Sequence, residues 1–219
     1  YEWSSGTSMS NPLVAGAAAV IVQWYNETYN SIPSPAMVKA LLINTAQDLN
    51  DTNGNTAPIP NRNEGWGMVN ISKLVYPIED PVRFYVSDQD YIFNGTSQID
   101  KHYIISEKQE YPLKITLVWT DKEAQSDTNN SKSLKNDLNL KVESPNGRIY
   151  KGNAFIDGWT QHDTYTISDF DTDEDGWDDT NNVENVYIHP DDVKQGTYTI
   201  SISAYNISEN ATNSNTNSI

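Results

Sequence analysis

Ser8 stands just before a predicted buried helix that is rich in alanine and glycine. The first N–H groups of a helix have no partner within the helix, and the helix dipole favours negative charge there. An acyl-transfer nucleophile at this position would form its oxyanion beside those N–H groups. Gly6 permits an unusual backbone angle ahead of it. The alternative is that Ser8 belongs to a helix cap and takes part in no chemistry.

A second chemical signal is the acidic segment 171–179, where aspartates alternate and a glycine follows. Calcium prefers several oxygen ligands, and glycine lets the chain wrap around the ion. Close carboxylates repel one another unless a cation lies between them. The predicted ligands of a Ca2+ ion are Asp171, Asp173, Asp175, Asp179 and Glu184. An EF-hand is excluded because its last Glu is Asn182 here and the flanks are predicted strands; a solvated acidic loop is the alternative.

Composition excludes several classes of function. The 219 residues include 14 Lys+Arg and 30 Asp+Glu, for a net charge of −16. This charge argues against nucleic acid and against an anionic membrane surface. The longest apolar run, residues 13–22, is too short to span a bilayer. With no cysteine, a disulfide scaffold and thiol catalysis are excluded.

The chain is expected to be an extracellular part of a longer polypeptide. It begins without an initiator Met or a signal peptide, so Tyr1 is expected to be an internal residue. Its acidic, Asn-, Ser- and Thr-rich composition suits a solvated exterior, which indicates a secreted or cell-surface protein. Glycosylation sequons, some of which could be chance matches, occur at Asn26, Asn50, Asn70, Asn94, Asn129, Asn206 and Asn210.

The first 76 residues have a helical pattern. Asn11 is a possible cap for a first helix with Pro12 at its first position, and this helix is apolar nearly all round. Ser34 is predicted to cap a second helix with Pro35 in its first turn. Residues 48–62 read as a loop, 65–67 as a tight turn and 71–75 as a last short helix. An all-round apolar helix needs a partner layer, which is expected from upstream residues or another chain.

After residue 77 the hydrophobic period changes to two. Alternation predicts strands at 82–86, 113–118, 138–143 and 198–204, and Pro145-Asn146-Gly147 predicts a hairpin. Short strands divided by turns indicate an antiparallel sandwich or jelly roll. The expected fold is therefore α+β: helices at 1–76, an antiparallel β-sandwich (jelly-roll-like) domain at 77–207 and a polar linker or tail at 208–219.

The string at residues 6–16, GTSMSNPLVAG, resembles the serine motif of the subtilases. Residues 35–46 and 63–67 resemble the next helix and the G-W-G turn near the end of the subtilase catalytic domain. The resemblance implies a subtilisin-like α/β domain in which Ser8 is the nucleophile that hydrolyses peptide bonds. Ser10 replaces the second glycine of a G-x-S-x-G elbow, so an α/β-hydrolase is not expected.

Most of residues 80–207 resemble the β-barrel or jelly-roll domain of large secreted subtilases of the KP-43 type. The resemblance rests on segments such as 113–119, 134–140, 144–147, 181–186 and 196–198. Relatives have a calcium site beside an N-N-x-E-N string, which here is residues 181–185. They also tend to have Asp where this chain has Ala154, and Asp137 is a possible further ligand that is more simply read as structural.

Two members of the catalytic triad have no counterpart in this chain. A subtilase triad runs Asp, His, Ser along the sequence, but His102, His162 and His189 all follow Ser8. The upstream part of the catalytic domain is therefore the expected partner, and this chain alone should be inactive. The predicted function is the C-terminal part of a secreted serine endopeptidase acting on polypeptides. The alternatives are a non-catalytic sandwich in a cell-surface assembly and a calcium-dependent lectin-like sandwich.

Overall fold

The computed structural model describes residues 5–49, 58–75, 83–90, 92, 98–107, 110–123, 134–163, 171–172 and 175–211. The chain divides into two compact units, residues 1–89 and 90–219. Among the described residues no helix is long and apolar enough to cross a membrane.

The first unit is helical. It consists of α1 (Thr7–Tyr29), α2 (Pro35–Asn44) and the short α3 (Ser72–Val75). The expected cap of α2 is confirmed, because the Ser34 hydroxyl accepts the Met37 N–H at 3.0 Å and Pro35 is the first helical residue. The short helix near 71–75 is also confirmed. The core of the unit contains Ile21, Tyr25, Met37, Leu41 and Leu74.

Two expectations for the first unit were wrong. Helix α1 begins at Thr7 rather than after Asn11, so Pro12 lies inside it. Residues 83–88 form no strand, although the alternation at 82–86 predicted one; residue 82 lies outside the described part. Phe84 and Val86 pack against the helical core instead. A period of two indicates an extended chain with one buried side, and it does not determine what covers that side.

The second unit is built from antiparallel strands. They are β1 (Gln98–Ile105), β2 (Leu113–Val118), β3 (Asn136–Glu143), β4 (Ile149–Ile156), β5 (Trp159–His162), β6 (Val183–Ile188) and β7 (Gly196–Ile207). One sheet has the order β1-β7-β3-β4-β5, and β2 pairs with β6 in another. The predicted hairpin turn joins β3 to β4, with the Gly147 N–H bonded to the Ser144 carbonyl at 2.9 Å.

Both sheets contribute to a single core. Its buried members are Ile105, Leu140, Val142, Tyr150, Val186, Ile188, Val193 and Tyr198. Leu113, Ile115 and Leu117 of β2 pack against them, as the alternation predicted. Two antiparallel sheets that share one core are compatible with the expected β-sandwich. The jelly-roll connectivity stays a prediction.

Candidate functional site

Ser8 is the second residue of α1, in its first turn. Gly6 precedes the helix with φ 132°, a conformation that suits glycine. The Gly6 carbonyl accepts the N–H groups of Met9 at 3.0 Å and Ser10 at 3.2 Å, which closes the first turn. The Ser8 N–H is therefore among those that have no partner within the helix. A hydroxyl and an available N–H donor occur together at one residue.

Pro12 lies four residues after Ser8 on the same helix. Proline has no N–H, so Pro12 cannot donate the usual helical bond to the Ser8 carbonyl. The first turn at Ser8 is consequently less tied to the rest of the helix than an ordinary turn. Pro12 was expected at the first position of the helix. The structure instead places it inside α1, where the Ser8 carbonyl receives no helical hydrogen bond from it.

Among the described residues, no side chain is placed to take up the proton of the Ser8 hydroxyl. Residues 5–16 are exposed, and no described histidine or carboxylate forms a hydrogen bond with the Ser8 hydroxyl. The three histidines belong to the second unit. His102 contacts Thr199, His162 contacts Asp163, and His189 accepts the Asp191 N–H at the start of a 3₁₀ turn. His102 thus contacts its cross-strand neighbour in β7, whereas His162 and His189 contact residues within two positions along the chain.

The outward face of α1 is apolar and uncovered within the described residues. Leu13 is 75% exposed, and Met9, Val14 and Val20 are exposed as well. Only Ile21 and Tyr25 of this helix are buried. Exposed apolar side chains in a contiguous group mark a surface that another segment covers. This agrees with the expectation that α1 needs a partner layer.

The carboxylates of the acidic segment hold the backbone of their own turn. Asp171 accepts the N–H groups of Asp175 at 3.2 Å and Gly176 at 2.7 Å. Asp175 accepts the Trp177 N–H at 3.0 Å, and Asp179 accepts the Thr180 hydroxyl at 3.1 Å. Asp173 lies outside the described residues. Asp171 and Asp179 are buried, so their carboxylates face inward.

Glu184 lies in strand β6 and is completely buried. Its Oε2 accepts the Leu140 N–H at 2.6 Å, while its Oε1 has no hydrogen-bond partner among the described residues. Burial raises the pKa of this carboxyl well above its usual value; the Leu140 bond opposes the rise, and the nearby charges of Asp178 and Asp137 add to it. An uncompensated buried oxygen of this kind is costly.

Asp178 organises the segment before β6 and was not among the predicted site residues. It is 1% exposed. Its carboxylate accepts the N–H groups of Thr180 at 2.9 Å and Asn181 at 3.0 Å, together with the side-chain amide of Asn153 at 2.6 Å. The sequence did not single out Asp178, because neighbouring aspartates in an acidic loop look alike. The fold buries both Asp178 and Asp179, at 1% and 3% exposed, and only their hydrogen-bond partners distinguish them.

The described members of the predicted calcium site have different hydrogen-bond partners. Asp171, Asp175 and Asp179 hold their own turn, whereas Glu184 lies near Asp178 and Asp137. In the described part of the chain no three His, Asp or Glu side chains converge as metal ligands. Glu184 thus lies near one aspartate of the acidic segment, Asp178, and near Asp137 of β3. The predicted set of calcium ligands stays a prediction.

Four of the seven sequons fall on described residues. Asn26, Asn206 and Asn210 are exposed and Asn70 is half-buried. Asn50, Asn94 and Asn129 lie outside the described part of the chain.

Comparison with known proteins bears on the first unit. Residues 1–67 match the subtilase family of S8 peptidases. The chain is 30% identical over 101 residues to the PII-type and PIII-type proteinases of Lactococcus lactis subsp. cremoris and to the PII-type proteinase of Lacticaseibacillus paracasei. These matches cover 42% of the chain, which spans only 5% of the length of each relative. Residues 1–67, which include Ser8, are thus similar in sequence to the subtilase family of serine peptidases.

Proposed function

We propose that the first unit is the C-terminal part of the catalytic domain of a secreted or cell-surface subtilisin-like endopeptidase, and that Ser8 is its nucleophile. The observation that carries the proposal is the position of Ser8 in the first turn of α1, within the segment similar to subtilases. The likeness to KP-43-type enzymes and the hydrolysis of polypeptides belong to the same proposal.

The chemistry follows from the position of Ser8. Its hydroxyl adds to the scissile carbonyl, the peptide C–N bond breaks and the amine leaves with a proton, and water then hydrolyses the acyl-enzyme that remains. The Ser8 N–H, with the positive end of α1 behind it, stabilises the negative charge on the carbonyl oxygen. The proton of the hydroxyl passes to a histidine that upstream residues supply, oriented by an upstream aspartate.

The partner that supplies them also covers α1. The exposed Leu13, Val14 and Val20 form an apolar face next to the nucleophile. A catalytic domain that buries this face removes water from around Ser8 and strengthens the electrostatic contacts there. The upstream polypeptide therefore completes both the core and the catalytic machinery.

Labelling with a fluorophosphonate probe tests the nucleophile. The full-length protein, with its upstream residues, should be labelled at Ser8, as read from the modified peptide by mass spectrometry. The Ser8→Ala variant should not be labelled, and Ser10→Ala should be labelled like the wild type because Ser10 only bonds the Gly6 carbonyl at 3.3 Å. A folded full-length protein that resists the probe would favour a non-catalytic surface module.

We also propose that Ca2+ stabilises the second unit, and Glu184 Oε1 is the observation that favours it. The residues present fit a hard cation: a bare, buried carboxylate oxygen with the charges of Asp178 and Asp137 nearby. Glu184 would hold the ion, joined by those two aspartates or by the acidic segment 171–179. A bound cation would compensate the buried charge and stabilise the folded state by mass action.

Thermal unfolding with calcium or with a chelator tests this second proposal. Saturating calcium should raise the Tm of the wild-type chain by roughly 5–10 °C. Glu184→Gln should abolish the rise while keeping a calcium-free Tm at least as high, because the amide carries no charge; the exposed Glu143→Gln is the control. Loss of the rise in Asp137→Asn alone, or in Asp175→Asn alone, identifies the second group of ligands. An unchanged rise in Glu184→Gln would contradict the proposal.

A further inference from the structure

Residues 83–89, here called the strap, cross the first unit after its last helix. Their side chains alternate between exposed and half-buried, with Phe84, Val86 and Asp88 on the half-buried side. Phe84 and Val86 pack against the core that includes Ile21 and Tyr25 of α1. The strap is thus a part of the helical unit, although its sequence pattern is that of a strand.

Asp88 fastens the strap to the start of α2. Its carboxylate accepts the Ser34 N–H at 2.8 Å and the Ser34 hydroxyl at 2.6 Å. It also accepts the Gln89 N–H at 2.8 Å, where Gln89 has φ 60° and the chain turns away. Ser34 is at the same time the cap of α2, so one serine links the strap to the helix end. The negative charge beside a helix N-terminus adds to the attachment.

The strap holds α1 at the end opposite to Ser8. Thirteen residues separate Ser8 from Ile21, which corresponds to about 20 Å of helix at 1.5 Å per residue. A tilt of about 3° at the buried end therefore moves Ser8 by about 1 Å. Displacements of that size cost on the order of 100-fold in catalysis. The buried end of α1 consequently determines the accuracy with which Ser8 is placed.

We propose that the strap is a positioning element for the nucleophile: Asp88 fastens it to Ser34, and Phe84 and Val86 keep α1 at the angle at which Ser8 reacts. The proposal rests on the proposed function of Ser8. It makes Asp88 a positioning residue that acts through two helices and touches no substrate.

Kinetics and hydrogen exchange on the full-length protein test the strap. Asp88→Ala should lower kcat and the fluorophosphonate labelling rate by at least about 10-fold while KM changes less than about 2-fold, because substrate contacts are untouched. Amide exchange should become faster at the buried end of α1 and the start of α2. Asp88→Asn keeps one acceptor oxygen and should lie between the wild type and Asp88→Ala. Asp191→Ala, whose side chain is 90% exposed, is the control and should change nothing.

Each outcome supports or overturns the role of the strap. Unchanged kcat in Asp88→Ala would overturn it, and so would equal losses in Asp88→Ala and Asp191→Ala. If Asp88→Ala fails to fold, kcat and KM are compared in Asp88→Asn instead, and an unchanged kcat there would overturn the proposal as well. If the wild type is not labelled at Ser8, the proposed function fails; the strap is then tested by exchange alone, and unchanged exchange in α1 would refute it.

Discussion

At the scale of single residues, Gly152 has no side chain, and the Glu184 carboxylate occupies the space that a side chain at position 152 would fill. Leu140 lies one residue beyond the last β3–β4 pair, Lys141 with Lys151. The Leu140 N–H, which no residue of β4 accepts in that ladder, donates instead to the Glu184 carboxylate. A Cβ on Gly152 would lie 2.1 Å from Glu184 Oε2. Only glycine permits this approach.

Gly152→Ala is therefore expected to destabilise the second unit by about 2–4 kcal/mol, through overpacking and the loss of a buried hydrogen bond. Chemical denaturation measures it. The control is Gly147→Ala, where a Cβ meets nothing within 4 Å but φ is 82°, so about 1 kcal/mol is expected. Equal losses in the two variants would contradict the role given to Glu184.

The two candidate sites differ in how far the sequence predicts them. Ser8 could be proposed as the nucleophile because the string that resembles the subtilase serine motif, residues 6–16, is contiguous in sequence. The full set of carboxyl groups around Glu184 could not be read from the sequence. Asp137 and Glu184 are neighbours only because β3 and β6 contribute to one core, and sequence spacing carries no information about that proximity.

At the scale of elements, the first unit shows which signals are reliable. The cap at Ser34 is predictable because capping is local. The start of α1 is misplaced by its sequence, because Asn11-Pro12 also suits a helix start and the first turn depends on the φ of Gly6. The alternating pattern of the strap predicted a strand of the sandwich, but Phe84 and Val86 pack against the helical core. Alternation shows that one side of an extended segment is buried and does not show which element buries it. β1 and β5 escape prediction because their patterns are polar or short.

Leu13→Ala tests the apolar face of α1. In the 219-residue chain Leu13 is 75% exposed, so the free energy of unfolding should change by less than about 0.5 kcal/mol. In the protein with its upstream residues the same change should cost about 2–4 kcal/mol, because the side chain becomes part of a core. Denaturation of both forms measures the difference. A small effect in both forms would mean that no upstream layer covers α1.

At the scale of the whole molecule, the chain has two units with separate cores. The first contains Ser8, the proposed nucleophile, and the second contains the buried Glu184 carboxyl that is proposed to hold calcium. The second unit also buries phenols: burial raises the pKa of Tyr150, of Tyr198 and of Tyr187 above the usual 10.0. These groups resist ionisation only while the unit is folded.

Stability of the second unit should therefore fall in alkali. The contribution of each phenol is fully present below pH 10, where the unfolded chain is still protonated, and is lost as the pH rises through the raised folded pKa. Thermal unfolding against pH measures this. In Tyr150→Phe the loss of thermal stability in alkali should begin at a higher pH than in the wild type. The exposed Tyr205→Phe should lose stability at the same pH as the wild type. An identical profile in all three proteins would contradict the assignment.

The central claim is that Ser8 attacks the peptide bond, and steady-state cleavage of a peptide substrate by the full-length protein tests it most directly. Ser8→Ala should lower kcat by about 10⁵–10⁶-fold with KM little changed, because the variant still binds substrate but cannot form the acyl-enzyme. Undiminished cleavage by Ser8→Ala would show that another group performs the reaction.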